Sequence, residues 1–228
     1  DRTDAFRDVA EVTAFVASDD GLSGLLAEAK RRLGDDPAHD VGHVLRVALW
    51  TTRLSPVGTS RRLAVAAAIL HDAVNPPKDS PLRTKASELS AALAHELLPV
   101  AGFGPAETAL AAEAIRTHSF SRGETPLSPL GDALQDADRL EALGALGLYR
   151  LIATGVRMGG ALFDVDDPWA TRRPLDDRRF SVDHLFTKLL KLPGTMRTAK
   201  GRAEATQRAE LLKKFAESLG EEIGRPTP

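Results

Sequence analysis

The chain has no cysteine, which excludes disulfides and thiolate metal sites and leaves histidine and carboxylate side chains as the strong ligands. No sign of charge dominates: 30 basic and 32 acidic residues give a net charge of -2, so the uniform basic field that holds nucleic acid backbones is missing. No apolar run approaches the roughly 20 residues of a membrane-spanning helix, and no charged-then-apolar signal opens the chain. These absences set the expectation of a cytoplasmic protein with no membrane and no nucleic acid partner. Aromatic residues supply only 5% of the chain.

What is abundant is alanine and leucine, with apolar residues spaced by three and four rather than two, which reads as helix throughout. At 228 residues and 43% hydrophobic content, the expectation is one all-α domain over residues 1–228. Phe6, Val9, Val12 and Val16 mark a first helix, and LSGLLAEAKRRL a second that stops at Gly34. A third spans about Asp40 to Leu54, and RRLAVAAAILHDAV is apolar nearly all round, as expected at the centre of a bundle. NPPKDSPLR holds three prolines in nine residues and is a loop. Helices follow at about 84–98, 105–117 and 131–154, the last a single long one, and then near 182–191 and 197–219.

Ionisable residues punctuate this apolar pattern at three places. ILHDAVN sets His71 and Asp72 directly after AVAAAIL, where an unpartnered polar group costs roughly 2 to 7 kcal/mol. HDVGHVLRV offers His39 and His43, four apart on one helical face, and QDADRLEALGALG offers Asp136, Asp138 and Glu141. Imidazoles and carboxylates without sulfur suit a divalent ion such as Mn, Fe, Co, Ni, Zn or Mg. His95 and His184 read as structural histidines.

The order His43, His71-Asp72, Asp138 resembles the H...HD...D signature of the HD-domain metal-dependent phosphohydrolases, an all-helical superfamily. HDVGHVLRV, LHDAVNPPKDSPLRTKAS, HSFSRG, QDADRLEALGALG and PLDDRRFSVDHLFTKLLKLPGTM together are similar to the single-domain bacterial members to which nucleotide pyrophosphohydrolase activity is ascribed. The signature region is about 39–141, with the C-terminal helices of 182–219 packed on it. The resemblance implies His43, His71, Asp72 and Asp138 as metal ligands, with Asp138 preferred to Asp136 on the match of ADRL, and Mn2+ as the favoured ion. It implies a small nucleotide as substrate, with cleavage of a nucleoside triphosphate to monophosphate and pyrophosphate favoured over a 5'-monophosphatase.

Around the ligand set, Asp72, His118 and Glu141 are the candidate catalytic groups. Lys78, Arg139 and Arg122 are candidate phosphate contacts, because a polyphosphate needs compensating cations, and Asn75 is a further candidate as a neutral donor. RRPLDDRR, from Arg172 to Arg179, is either a solvated turn or a cover over the phosphates. Two other classes compete: a non-catalytic nucleotide-binding regulator, and an HD-fold di-iron oxygenase whose second ion would draw on His39, Asp40 and His118. Acidic residues that follow the HD pair in the alarmone hydrolases of the superfamily are replaced here by Asn75, Pro76, Pro77 and Lys78.

Overall fold

The computed structural model of the chain describes residues 5–33, 41–76, 80–119 and 122–227. Ten α-helices make up the described part: α1 (Val9–Ala17), α2 (Asp20–Leu33), α3 (Val41–Leu54), α4 (Arg61–Leu70), α5 (Ala86–Val100), α6 (Pro105–Thr117), α7 (Pro129–Leu140), α8 (Gly144–Arg157), α9 (Ser181–Thr187) and α10 (Ala199–Glu222). Short 3-10 turns sit at Arg83–Lys85 and Leu189–Thr195, and the single β-bridge among the described residues joins Ala161 and Phe180. The all-α expectation holds. The chain divides into two compact units, Asp1–Asp138 and Arg139–Pro228.

The first unit is organised around α4. All eight residues from Leu63 to Leu70 are buried, and α2, α3, α5 and α6 each pack against it. Four alanines among those eight let neighbouring backbones come close, and the long side chains Leu63, Ile69 and Leu70 fill the remaining gaps. Ser60 caps the helix by accepting from the Leu63 amide at 3.2 Å. Arg62, at the exposed start, ties the unit together: it donates to Asp19 at 2.6 Å and to the Ala101 carbonyl at 2.7 Å, with its guanidinium over the Phe103 ring.

The second unit packs α10 against α8 and against the 3-10 turn at Leu189–Thr195. Arg173 makes a two-pronged ion pair with the fully buried Asp183, at 2.5 and 3.0 Å, and the amide of Asp176 adds a third contact to that carboxylate at 2.7 Å. Asp177 accepts from His184 at 2.8 Å and from Thr187 at 2.9 Å. Within its own unit RRPLDDRR is thus partly an internal brace rather than a wholly solvated turn. Trp169 donates to the Arg225 carbonyl at 2.7 Å and holds the chain end.

Three expected elements differ in the structure. The central helix ends at Leu70, not Val74, because Ser90 Oγ takes the Val74 amide at 3.1 Å and Asn75-Pro76 cannot continue a helix. The single helix expected over 131–154 is two. Leu143 is extended, and Gly144 adopts φ +70, a left-handed conformation that glycine reaches without strain. Gly147 then approaches the Ala142 carbonyl so closely that a Cβ would sit 2.3 Å from it. The helix expected near 182–191 is a seven-residue α-helix followed by a 3-10 turn containing Pro193.

Gly147→Ala therefore forces the α7–α8 turn open. The expected cost is about 2 to 3 kcal/mol, read as a fall in Tm of several degrees, whereas Gly24→Ala, where nothing lies within 4 Å of the added carbon, leaves Tm unchanged or slightly raised.

Candidate metal centre

The same local device appears twice. His71 is the C-cap of α4 and His118 the C-cap of α6, positions where helix carbonyls lack amide donors. Each imidazole turns back on its own helix: His71 Nδ1 lies 2.7 Å from the Ala68 oxygen, and His118 Nδ1 lies 2.6 Å from the Ile115 oxygen. A carbonyl only accepts, so both Nδ1 atoms carry a proton and both Nε2 atoms are left to meet other groups. His43 stands in the first turn of α3, 1% exposed, on the buried face continued by Val47 and Thr51. Asp138 comes from the last turn of α7.

These side chains converge. His43 Nε2 and His71 Nε2 are 3.3 Å apart, and Asp138 Oδ1 lies 3.7 Å from each. Asp72 bridges outward, with Oδ2 3.7 Å from His71 Nε2 and Oδ1 3.3 Å from His118 Nε2. Two triads could each hold an ion, His43–His71–Asp138 and His71–Asp72–His118, and they share His71. The histidines are buried, while the Asp72 and Asp138 side chains stay 19% and 26% exposed. The cluster therefore opens to solvent through its carboxylates. Residues two apart on a helix diverge by about 200 degrees, so Asp136 and Asp138 cannot both face the histidines. The one that does is Asp138, and Asp136 is fully buried.

Electrostatics follow from this crowding. Burial alone would push His71 down, yet Asp72 and Asp138 outweigh it and push the imidazole up to about 9. Burial would raise Asp138, but His71, His118 and His43 hold its carboxyl well below the usual carboxylate range. In the metal-free protein a proton on His71 Nε2 thus lies within the group of side chains that could hold a divalent ion.

Lys78, His39 and Asp40 lie outside the described residues. Asn75 is half-buried shortly after the His-Asp pair. Arg122 donates to Glu124 at 2.5 and 2.8 Å, to Glu88 at 2.6 Å and to the Thr84 carbonyl at 3.1 Å. Arg139, in the second unit, donates to the Thr195 carbonyl at 2.6 Å, and Glu141 is buried in the same unit. His95 is exposed on α5.

Sequence reasoning passed over Gln135, which is 1% exposed and donates to the carbonyls of Thr117 at 2.9 Å and Glu124 at 3.1 Å. The signal was there: a glutamine among Leu130, Ala133, Leu134 and Ala137, all buried, one turn before Asp138.

Comparisons with known proteins bear on the family and the fold. The HD domain family model matches residues 40–143. The protein YpgQ of Bacillus subtilis is 29% identical over 194 residues, covering 83% of this chain and 86% of YpgQ. The crystal structure of YpgQ in complex with ADP is similar with a TM-score of 0.67 at 24% identity, over 88% of this chain and 97% of that one. A crystal structure of an HD-superfamily hydrolase from Bacillus thuringiensis gives a TM-score of 0.65 at 28% identity, over 89% and 96% of the two chains. A Lactobacillus plantarum structure gives 0.68 at 27% identity, over 89% and 96%.

Two pH effects follow. The raised His71 contributes stability to the metal-free protein that is fully present below its unfolded value of about 6.5 and is lost as pH rises through about 9. The Tm of chelator-treated protein is expected to decline over that window and nowhere as steeply below it. A divalent ion entering between His43 and His71 must displace that proton, so its apparent affinity falls by up to about tenfold per unit as pH is lowered from about 8 to 6. Calorimetric titration with Mn2+ in buffers of different ionisation enthalpy should show release of about one proton per ion.

Proposed function

The chain is an HD-domain protein, and on that premise we propose that it is a metal-dependent phosphohydrolase acting on small nucleotides. The observation that carries this reading is the convergence of His43, His71 and Asp138, with two Nε2 atoms 3.3 Å apart facing one carboxylate oxygen. Hydrogen-bonded structural histidines have no need of a shared point. Asp72 joins them as the fourth ligand. Two neutral imidazoles and two carboxylates balance a divalent charge, and Mn2+ is the favoured ion. Once bound, such an ion polarises a phosphoryl oxygen and lowers the pKa of attached water.

The chain's own groups supply the rest. His118 has its Nδ1 proton committed to Ile115, so its Nε2, 3.3 Å from Asp72 Oδ1, is placed to hold or pass a proton during attack or departure. The Asp72 carboxylate stabilises the imidazolium that results. Lys78 and Asn75, in the stretch directly after the His-Asp pair, are the proposed phosphate contacts, with the Lys78 ammonium offsetting charge on the departing group. The ADP bound to YpgQ supports a nucleotide as substrate here. Attack at the alpha phosphorus of a deoxynucleoside triphosphate is favoured.

His71→Ala and Asp138→Asn are each expected to abolish most bound metal and hydrolysis, on the order of 100-fold or more, with far-ultraviolet circular dichroism little changed. Metal content by plasma mass spectrometry and retained helicity decide the ligand assignment. The reaction itself is read by product chromatography after incubation with a deoxynucleoside triphosphate and Mn2+ in oxygen-18 water. Labelled monophosphate and unlabelled pyrophosphate in equal amounts are expected. Diphosphate with inorganic phosphate would overturn alpha attack, and monophosphates yielding nucleoside would replace it with a 5'-monophosphatase at the same metal centre.

A further inference from the structure

His118 sits at the start of a stretch that leaves α6 and reaches α7, and ties to the surrounding helices hold that stretch from both ends. Gln135 Nε2 donates to the Thr117 carbonyl at 2.9 Å and to the Glu124 carbonyl at 3.1 Å. One buried carboxamide thus joins the residue before His118 to a residue six positions after it. Gln135 is on α7, three residues ahead of Asp138, so the same helix that presents the carboxylate also fixes the peptide that carries His118.

A second tie lies nearer the surface. Arg122 spans from Glu124, at 2.5 and 2.8 Å, to Glu88 in the first turn of α5 at 2.6 Å and to the Thr84 carbonyl at 3.1 Å. Arg116, in the last turn of α6, also pairs with Glu124. Beyond it, Glu113 accepts from the Leu127 amide at 2.8 Å and from Ser128 Oγ at 2.9 Å. Each of these bonds is an ordinary structural contact by itself. Taken together they tie described residues on either side of His118 to α5, α6 and α7, and His118 itself is 3% exposed, with Nε2 3.3 Å from Asp72 Oδ1.

We propose that Gln135 is a positioning residue for His118, holding its Nε2 against Asp72 by tying the Thr117 and Glu124 carbonyls to α7, with Arg122 as an outer brace. The proposal rests on the reading of His118 as a proton-handling group of the phosphohydrolase. Gln135 touches neither the metal ligands' reacting atoms nor substrate in this role. Its carbonyl acceptors are the whole of its action. An aliphatic side chain of similar size keeps the packing, removes the clamp and leaves the two carbonyls without that donor.

The test compares Gln135→Leu with the unaltered protein by diethylpyrocarbonate labelling of the metal-free protein, read residue by residue with mass spectrometry. The labelling rate of His118 is expected to rise about tenfold while those of His43 and His71 stay within about twofold, since only His118 loses its local restraint. Hydrolysis is expected to fall about tenfold in kcat with little change in metal affinity, and by less than about twofold when Gln135→Leu is added to His118→Ala. Arg122→Gln, a surface change that does not threaten the core, should give the same pattern at smaller amplitude. Unchanged His118 labelling overturns the proposal, as does an equal rise at all three histidines or a full additional loss in the His118→Ala background. Should the unaltered protein hydrolyse no nucleotide, the functional reading fails while the labelling comparison still decides the role of Gln135.

Discussion

Two imidazole nitrogens 3.3 Å apart in an apolar interior, with a carboxylate oxygen 3.7 Å from both, are not a stable arrangement by themselves. With both Nε2 atoms unprotonated their lone pairs repel, and the carboxylate loses water that it would otherwise keep. A cation between them turns repulsion into attraction, whether it is a proton on His71 or a divalent ion. Because Ala68 already holds the Nδ1 proton, a second proton must go to Nε2 and makes the ring cationic. The same hydrogen bond leaves Nε2 as the only nitrogen that could coordinate a metal. One backbone contact therefore fixes both the acid–base state and the ligand atom.

The rest of the first unit serves that placement. Alanine-rich α4 is surrounded by four helices, and a helix buried on all sides has little freedom to rotate or slide. Its end is where His71 and Asp72 emerge. The close α5–α6 and α3–α4 packing brings His118 and His43 to the same level, and α7 adds Asp138. Stability and chemistry are in tension here, since each buried ionisable group weakens the apolar core it interrupts. The tension is eased by giving the two C-cap histidines, His71 and His118, a carbonyl each.

The second unit shows a different use of charge. Asp183 is fully buried and receives two guanidinium contacts and one amide, which satisfies the carboxylate completely and leaves it no role that requires a vacant coordination position. The contrast with Asp72 and Asp138 is instructive. Their side chains remain partly exposed and face imidazoles, and an imidazole can exchange its proton for a metal where an arginine cannot.

Helical periodicity and the order His43, His71-Asp72, Asp138 made the all-α class and the match to the HD domain family legible in the sequence alone, because alternation by three and four and a fixed order of residues are both written in one dimension. Asp138 could be preferred to Asp136 only by motif match. The structure supplies the physical reason, since one face of α7 meets the histidines and the other meets the core. The break at Gly144 was not legible: apolar spacing runs through Leu140 and Leu143 as it would in one helix, and only the close approach of Gly147 to Ala142 shows why the chain must turn. Nor could sequence tell that Arg122 is taken up by Glu88 and Glu124, or that Gln135 clamps two carbonyls on either side of His118. Those facts depend on which residues from separate helices meet across several ångströms. Composition and spacing determined the elements and the donor chemistry, whereas distances between elements, and with them the protonation of His71 and the company of His118, were decided by packing.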